Sequence, residues 1–186
     1  MSPNTFLPSY ITSLFPDNED ISILDVGAGP LTSLEKRSES HHVTITAVDA
    51  LGREYDMILK RHGIDPPVKT QYCKGEDISN KFAENSFDFV YARNSIDHCD
   101  IPEKAILGML HVLKKDCYIL LEHRENEAER GHYQGFHQWN FSEQNGKFII
   151  KSKYETIDFS EKHKHICQTT CLVENGDWLV VKIRKL

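Results

Sequence analysis

The chain has 186 residues, of which 39% are hydrophobic, which is enough for one domain with a full core and too little for two. Its formal net charge is -6 and Lys and Arg form no block, which argues against a nucleic-acid partner. No apolar run is long enough to cross a bilayer, and residues 1–16 lack the pattern of a signal peptide, so no membrane partner is expected. The five cysteines lack paired spacing, which is typical of reduced thiols and predicts a cytoplasmic protein.

The first part of the chain predicts a helix, a strand, a glycine turn and a second helix. Apolar residues at helical spacing over residues 4–15 predict an N-terminal helix within residues 1–16. Residues 21–26 are a continuous apolar run, which is typical of a strand buried on both faces. A helix is expected to follow the glycines and to continue through Glu39.

Strands and helices continue to alternate up to residue 122. The predicted strands are residues 43–48, 68–72, 87–92 and 118–121, and the predicted helices are residues 53–62 and 102–113. This alternation predicts a parallel sheet with right-handed crossovers. The strand at residues 68–72 is more polar than the others, so it is expected nearer to a sheet edge.

The pattern changes after residue 122, where two Asn-Gly pairs predict hairpins. Asn145-Gly146 lies between two short mixed runs, and Asn175-Gly176 lies between two longer strand-like runs. The predicted fold class is therefore α/β: a Rossmann-like, doubly wound, mostly parallel sheet closed by a C-terminal antiparallel hairpin. We expect one domain over residues 1–186, with residues 123–160 as a substrate-side segment that contains a hairpin.

The ends of the first two predicted strands carry the most specific motif. The first strand ends in Gly27-Ala28-Gly29-Pro30, and the second ends in a single carboxylate, Asp49. This pattern is typical of a nucleotide-binding α/β unit, in which a tight turn joins the first strand to a helix. The acidic residue beside that turn binds the ribose hydroxyls of the ligand. We expect Gly27 and Gly29 to be required because a side chain there would collide with the ligand.

This pattern resembles the class I S-adenosylmethionine-dependent methyltransferases, and the resemblance covers most of the chain. The family's first motif is an apolar-apolar-acid-apolar-Gly-x-Gly-x-Gly run. Ile23 and residues 24–31 match it, except that Leu31 replaces the third glycine. Asp49, the turn at residues 75–77 and the strand entry at residues 86–88 follow in the family's order. The resemblance implies an enzyme, a methyltransferase, with S-adenosylmethionine as its cofactor.

The resemblance also implies a role for each cofactor-binding residue. Asp25 would orient the glycine turn and, through water, the methionine ammonium group, whereas Asp49 would accept hydrogen bonds from both ribose hydroxyls. Glu76 would bind the adenine amino group, or exchange roles with its neighbour. The remaining implied contacts are Ala50 after the ribose acid, the backbone of Asp77 and its neighbour Ile78 at the adenine ring, and Arg93 and Asn94 under the methionine moiety.

Three alternatives to this enzyme class stay open. In the first, the glycines are a tight turn without a ligand and Asp49 is a solvated strand end. The second is a dinucleotide-binding oxidoreductase, which also needs a ribose acid but requires a third glycine where this chain has Pro30-Leu31. The third is a regulatory protein that binds S-adenosylmethionine without turnover.

Polar residues follow the fourth and fifth predicted strands, at residues 94–98 and 122–127. Methyl transfer to a hydroxyl requires an aligned acceptor and a group that removes its proton. His98 is the first choice for this general base and His123 the second, because the pKa of an imidazole lies near working pH. The alternative for His98 is a packing or capping histidine, and the alternative for His123 is a histidine that hydrogen-bonds to a site residue without contacting the substrate. Asp97 would orient an imidazole, contact the substrate or cap the next helix.

Residues 132–141 combine aromatic rings, histidines and amides, which suits the recognition of a polar, ring-bearing small molecule. The predicted substrate-binding residues are Asp97, Asn126, His137 and Trp139; the alternative is a packed connection in which Trp139 covers the sheet. Oxygen is favoured as the acceptor atom because residues 93–96 lack the Asn/Asp-Pro-Pro-Tyr motif of amide and nucleobase N-methylation. A looser resemblance, to methyltransferases of bacterial surface (capsular) polysaccharide gene clusters, implies a sugar or a polysaccharide precursor as acceptor.

A divalent metal ion is the alternative to an imidazole base. His98, Glu122, His123, Glu127 and His137 together offer nitrogen and oxygen ligands that would polarise a hydroxyl. They lack the tight spacing of established metal motifs, so a metal-free site is favoured. The chain has little insertion from which to build a lid, so we expect either an open groove or a groove covered by a second subunit of a homo-oligomer.

Overall fold

Within residues 7–17, 19–34 and 38–186, which the computed structural model describes, seven strands form a central sheet and three form a smaller one. The strands are β1 (Asp20–Val26), β2 (His42–Asp49), β3 (Thr70–Tyr72), β4 (Phe87–Arg93), β5 (Leu113–Arg124), β6 (Asn140–Gln144), β7 (Lys147–Lys151), β8 (Thr156–Asp158), β9 (Cys167–Glu174) and β10 (Trp178–Lys185). The helices are α1 (Ser9–Thr12), α2 (Gly52–Arg61), α3 (Ile78–Lys81), α4 (Pro102–Val112), α5 (Glu127–Arg130) and α6 (Phe159–Lys162). None of these described helices is long and apolar enough to cross a membrane.

The central sheet has the strand order β3-β2-β1-β4-β5-β10-β9. Strands β1 to β5 pair with one another in parallel, whereas β10 is antiparallel to both β5 and β9. The chain adds strands outward from β1 to β3 and then returns to place β4 on the other side of β1. This reversal leaves a crevice at the carboxyl ends of β1 and β4, where open α/β sheets bind their ligands. The predicted α/β class and the edge position of the third strand are confirmed.

One face of the sheet is covered by α3, α4 and the small sheet. Helix α4 begins with Pro102, and its apolar residues recur at helical spacing, so it buries one continuous stripe. Phe141, Phe148 and Phe159 bring the small sheet and α6 into the same core, with successive ring centroids 5.3 and 5.7 Å apart. The segment after β5 therefore contributes to the core of this face.

The opposite face is covered, within the described residues, by the N-terminal segment and by loops. Leu7, Ile11 and Leu34 are buried there against the sheet residues Ile21 and Phe89. The predicted N-terminal helix is limited to α1, and the part of the prediction that falls on residues 1–6 lies outside the described residues. This face therefore depends on scattered apolar side chains rather than on a helix stripe.

The helix predicted after the glycine turn is not formed by the described residues between β1 and β2. Residues 27–34 and 38–41 form turns, bends and irregular backbone. The Thr32 hydroxyl donates to the Asp25 carboxylate and accepts the Leu34 N–H at 3.1 Å. Such local bonds from side chains offer the backbone an alternative to helical pairing. The prediction of this helix is therefore wrong over these residues.

Both predicted Asn-Gly hairpins are present. Asn145 and Gly146 have φ of +54° and +80° and join β6 to β7, while Asn175 and Gly176 have φ of +50° and +85° and lie between β9 and β10. Positive φ at both positions is typical of the turns that suit the twist of antiparallel strands. The second hairpin closes the central sheet, whereas the first pairs with β8 in the separate small sheet.

Candidate active site

The glycine turn after β1 is held by backbone hydrogen bonds to the end of β2. The N–H groups of Gly27 and Ala28 donate to the Val48 carbonyl oxygen at 2.8 and 3.1 Å. Gly27 and Gly29 adopt φ of +71° and +67°, in the left-handed region that residues with a Cβ adopt at a cost. The turn therefore lies directly beside the end of β2, where Asp49 is found.

The Asp49 carboxylate joins the two strand ends. Its Oδ2 accepts the Gly29 N–H at 3.0 Å, and its Oδ1 accepts the Leu51 N–H at 2.8 Å. The Gly29 carbonyl oxygen in turn accepts the Thr70 hydroxyl at 2.7 Å. A carboxylate has about four acceptor positions, so about two remain on Asp49 for the hydroxyl donors of a ligand. Ala50, which follows the carboxylate, is exposed.

The two glycines of the turn differ in what a side chain would meet. A Cβ at Gly27 would lie 2.2 Å from Ser95 Cβ, whereas a Cβ at Gly29 would meet no atom within 4 Å. The Ser95 hydroxyl also donates to the Val26 carbonyl oxygen at 3.0 Å, which locks the loop after β4 onto the end of β1. We expected a side chain at either glycine to collide with the ligand. At Gly27 this expectation is wrong, because a side chain there would collide with Ser95 instead. Only the space beside Gly29 is left open.

Asp25 is buried under the glycine turn, with 2% of its surface exposed. Its carboxylate accepts a hydrogen bond from the Thr32 hydroxyl, a partner that the sequence pattern does not predict. Burial raises the pKa of Asp25 from 3.8 to about 6; the Thr32 hydrogen bond opposes this rise and the charge of Asp49 adds to it. The role of Asp25 in orienting the turn stays a prediction.

The residues predicted at the adenine lie in the connection from β3 to α3. Glu76 Oε1 accepts the Ile101 N–H at 3.1 Å, which ties this connection to the start of α4. Asp77 is exposed and lines an open depression of about 430 Å³ at the end of β3. The Ile78 side chain is fully buried in the core, so its backbone alone is available to a ligand.

Arg93 and Asn94, predicted under the methionine moiety, connect β4 to its neighbours. The Arg93 guanidinium carbon lies 5.0 Å from the centroid of the Trp178 ring, and its Nε is 3.8 Å from Glu122 Oε2. Asn94 has φ of +49° and donates its N–H to the Glu122 carbonyl oxygen at 2.8 Å. Its side-chain oxygen accepts the Arg124 N–H at 3.3 Å. These contacts fix the backbone that leads from β4 into the next loop.

Asp97 is the centre of a cluster of three histidines. It lies in the 3-10 turn Ile96–His98 after β4 and is 2% exposed. Asp97 Oδ2 is 3.2 Å from His137 Nδ1 and 3.4 Å from His98 Nε2. Asp97 Oδ1 is 3.3 Å from His123 Nδ1. The structure thus brings together both histidines predicted as bases and two of the residues predicted to bind substrate.

The buried carboxylate controls the electrostatics of this cluster. Burial by itself raises the pKa of Asp97, but the contacts with His123, His98 and His137 outweigh burial and lower that pKa below its ordinary value. Asp97 is therefore ionised at neutral pH. An ionised carboxylate favours imidazole tautomers that direct an N–H toward it, so it orients the rings around it.

The two predicted bases have different environments. The His98 side chain is 38% exposed, whereas that of His123 is 1% exposed and packs edge-on against Phe141 with ring centroids 4.7 Å apart. Strand β5 continues to Arg124, beyond the predicted end at residue 121, and this extension carries His123 into the core. A ring in this position contacts Asp97 rather than an acceptor, which contradicts the predicted role of His123 as an alternative base.

Only some side chains of the predicted substrate segment are exposed. The His137 side chain is 33% exposed and Phe136 is 77% exposed, with the Phe136 ring centroid 6.2 Å from that of His98. Trp139 is 8% exposed and packs in the hydrophobic core, so its predicted contact with substrate is wrong and the packed alternative applies. Asn126 adopts φ of +56° directly before α5. The exposed ring of Phe136 is a feature that the sequence pattern does not reveal.

Only part of the predicted metal-ligand set comes together. Glu122 points to the face of β5 opposite the cluster, where it accepts a hydrogen bond from a tyrosine hydroxyl, because successive residues of a strand face opposite sides. Glu127 also lies outside the group. Among the described residues, the group that offers three ligand atoms in one place consists of Asp97, His98 and His137.

The chain is similar to a known protein family over the region that contains the glycine turn and the parallel strands. The family described as "Methyltransferase domain" matches residues 24–121. Two uncharacterized proteins from strains of Mycobacterium tuberculosis are each 29% identical over 100 residues, which cover 50% of this chain and 32% of theirs. The chain thus spans about a third of the length of the curated relatives it matches.

Solved structures share the fold over nearly the whole chain. A SAM-dependent methyltransferase from Aquifex aeolicus is similar with a TM-score of 0.57 and 15% identity, covering 97% of this chain and 90% of that chain. The YcgJ protein from Bacillus subtilis is similar with a TM-score of 0.53 and 17% identity, covering 95% of this chain and 97% of that chain. At these identities the likeness concerns the fold, and it confirms the predicted Rossmann-like sheet with an antiparallel C-terminal part.

Proposed function

The chain belongs to the methyltransferase domain family, and we propose that it transfers a methyl group from S-adenosylmethionine to a hydroxyl of a small polar acceptor. Membership of this family supports the predicted enzyme class, a methyltransferase. S-adenosylmethionine supplies an electrophilic methyl group on a sulfonium, whose leaving group is already activated. The residues of the chain then have to hold the cofactor, align the acceptor and remove its proton.

The hydrogen bond from Gly29 to Asp49 is the observation that carries this proposal. It holds an open stretch of glycine backbone against a carboxylate that retains acceptor positions for two hydroxyl groups, which is what an adenosyl ribose presents. The proposed cofactor-binding residues are Asp25, the backbone of Gly27, Gly29, Asp49, Ala50, Glu76, Asp77, the backbone of Ile78, Arg93 and Asn94.

We place the acceptor beside the Asp97 cluster, because this cluster follows β4 at the same edge of the sheet as the glycine turn. His98 is the proposed base: its ring is partly exposed, and its Nε2 lies 3.4 Å from Asp97 Oδ2. An ionised carboxylate beside an imidazole orients the ring and stabilises the imidazolium that forms when the ring takes a proton. His123 acts through Asp97 as a positioning residue, since its ring is buried.

The proposed acceptor class is a sugar or a precursor of a surface polysaccharide. Support comes from Phe136, whose exposed ring lies beside the polar cluster. An exposed aromatic ring next to hydrogen-bonding side chains suits the apolar face and the hydroxyl edge of a sugar ring. Asn126, Asp97 and His137 complete the proposed acceptor side.

Calorimetry with S-adenosylhomocysteine, the demethylated cofactor, tests the cofactor half of the proposal. Wild-type protein is expected to bind it, and Asp49→Ala is expected to weaken binding by about 10- to 100-fold, because charge-assisted hydrogen bonds to the ribose are lost. Asp65→Ala is the matched control, since Asp65 is an exposed carboxylate paired with Lys69, and its affinity is expected to be unchanged. Binding of NADH in preference to S-adenosylhomocysteine would favour the oxidoreductase alternative and overturn the proposal.

Turnover separates the enzyme from a regulatory protein that only binds the cofactor. Transfer of a labelled methyl group is measured against a panel of free sugars and sugar nucleotides. We expect transfer to a hydroxyl by wild-type protein and loss of transfer in His98→Ala with retained binding of S-adenosylhomocysteine. Tight cofactor binding without transfer to any hydroxyl acceptor would favour the regulatory alternative.

A further inference from the structure

We propose that Asp97, His98 and His137 form a binding site for a divalent first-row transition-metal ion. The site goes beyond the proposed function and does not depend on it, because it stands on the contacts of these three side chains. Asp97 Oδ2 and His98 Nε2 are 3.4 Å apart, His98 Nε2 and His137 Nδ1 are 3.2 Å apart, and His137 Nδ1 and Asp97 Oδ2 are 3.2 Å apart. The three atoms thus form a nearly equilateral triangle.

This triangle has the dimensions of one face of a coordination sphere. Ligand atoms that lie about 2.0 to 2.2 Å from an ion are about 2.8 to 3.6 Å from each other when they occupy adjacent positions. An ion about 2.1 Å from each of the three atoms would lie about 1 Å out of their plane. The three residues therefore hold one side of the ion and leave its other positions free. Two imidazoles and one carboxylate in this arrangement are typical of open, catalytic metal sites.

The buried Asp97 carboxylate provides the negative charge of the site and the oxygen atom that faces the ligand histidines. Asp97 is 2% exposed, and a cation in contact with a buried, ionised carboxylate offsets the free energy of its desolvation. Its other oxygen, Oδ1, lies 3.3 Å from Nδ1 of the buried His123, so Oδ2 is the oxygen that faces the two ligand histidines. Support of a ligand carboxylate by a further buried side chain is typical of metal sites.

Both ligand histidines are held by local structure at the surface. The His98 N–H donates to the Ser95 carbonyl oxygen at 3.2 Å. The loop that carries His137 is held by the Gln138 side-chain amide, which donates to two carbonyl oxygens of the loop at 2.9 Å each. Exposures of 38% and 33% place the two imidazoles at the surface above the buried carboxylate. The free positions of the ion therefore face solvent.

The ligand atoms select the class of ion and affect the role of His98. Imidazole nitrogens suit Zn²⁺, Fe²⁺ and Co²⁺, whereas Mg²⁺ and Ca²⁺ prefer oxygen ligands throughout. An ion bound at His98 Nε2 fixes the ring proton on Nδ1, so this imidazole no longer accepts a proton. Metal loading and base catalysis by His98 therefore exclude each other.

Titration of the full chain with Co²⁺, followed by calorimetry and visible absorption, tests the site. Wild-type protein is expected to bind Co²⁺ with ligand-field bands and without a thiolate charge-transfer band, because none of the ligands is a cysteine. His98→Ala and His137→Ala are each expected to weaken binding by at least about 10- to 100-fold. His111→Ala removes an exposed histidine in the last turn of α4 and is the matched control, with unchanged binding expected.

Binding of S-adenosylhomocysteine, measured on the same samples, shows that each variant is folded and separates the two proposals. Lost Co²⁺ binding with retained binding of S-adenosylhomocysteine in both histidine variants supports the metal site. Absence of S-adenosylhomocysteine binding by wild-type protein, with Co²⁺ binding intact, would overturn the proposed function alone. The metal site is overturned by a wild-type protein that binds no Co²⁺, by unchanged binding in both histidine variants, or by a thiolate band.

Discussion

The glycine turn and the Asp97 cluster lie at the same edge of the sheet but are built in opposite ways. The turn consists mostly of backbone groups from two adjacent strand ends, joined by the carboxylate of Asp49. The cluster consists of side chains from three separate segments: the turn after β4, strand β5 and the loop before β6. The first region therefore depends on backbone conformation, and the second depends on long-range packing that places side chains.

This difference predicts how each region responds to substitution. A change in the turn alters the course of the chain after β1, so we expect it to lower the free energy of unfolding. A change at a partly exposed imidazole leaves the fold and the cofactor site in place, so we expect it to lower the rate alone. Stability and rate measured on the same variants test this contrast.

The largest expected effect is on the rate of the cluster variant His98→Ala. Its kcat is expected to fall by about 100- to 10,000-fold, because the proton acceptor is removed. Its free energy of unfolding is expected to change little, since the His98 side chain is 38% exposed. Steady-state kinetics and urea unfolding measure the two quantities. A parallel loss of rate and stability would break the contrast between the regions.

The next effect is on the stability of the turn. Gly27→Ala is expected to lower the free energy of unfolding by about 3 kcal/mol, because the new Cβ would lie 2.2 Å from Ser95 Cβ on a backbone with φ of +71°. Gly29→Ala is the matched variant, with φ of +67° but no atom within 4 Å, and is expected to cost about 1 kcal/mol. Urea unfolding of both variants gives the difference that is due to the contact alone.

Ser95→Gly in the Gly27→Ala background sharpens this comparison. Ser95→Gly alone loses the hydrogen bond to the Val26 carbonyl oxygen, so it is the reference for the double variant. The double variant removes the contact and keeps the unfavourable φ, so its loss of stability relative to Ser95→Gly is expected to approach that of Gly29→Ala relative to wild-type protein. Equal losses in Gly27→Ala and Gly29→Ala would show that Ser95 is not what requires a glycine at residue 27.

The smallest expected effect concerns pH and Asp25. The folded-state pKa of about 6 lies above the ordinary value of 3.8, so the folded protein holds an additional proton between these values. The stability contributed by this group is therefore present at low pH and lost as pH rises through about 6. Asp25→Asn keeps an acceptor for Thr32 and is expected to raise the free energy of unfolding by about 1 to 2 kcal/mol at pH 7.5, with little gain at pH 4. Urea unfolding at the two pH values measures this, and an equal effect at both would contradict it.

The features that could be predicted from sequence depend on residues close together in the chain. The buried strands, the Asn-Gly hairpins and the pairing of the glycine turn with Asp49 all follow from local patterns. Local patterns predicted a helix after the turn that the described residues do not form. The Thr32 hydroxyl instead donates to Asp25 and accepts the Leu34 N–H, which favours irregular backbone over a helix. The role of Ser95 was not predicted because its contact with the turn joins strand ends that are adjacent in the sheet but 69 residues apart in the chain.

The members of the cluster could be named from sequence, but their arrangement could not. Asp97 had several predicted roles, and only packing after β4 makes it the centre of the group. His123 was predicted as a base and Trp139 as a substrate contact, whereas both side chains are buried, His123 against Phe141 of the small sheet and Trp139 in the hydrophobic core. Within residues 132–141, the Phe136 ring is exposed. Burial of this kind depends on contacts between segments, which periodicity along the chain does not reveal.

Gly27 and Ser95 share a single volume that holds one side chain. A change at one position therefore depends on the residue at the other. Alanine at residue 27 fits only where residue 95 lacks the hydroxymethyl group of serine. Among homologous sequences we expect residues 27 and 95 to change together. A change at this pair would then mark a change in the packing of the loops after β1 and β4.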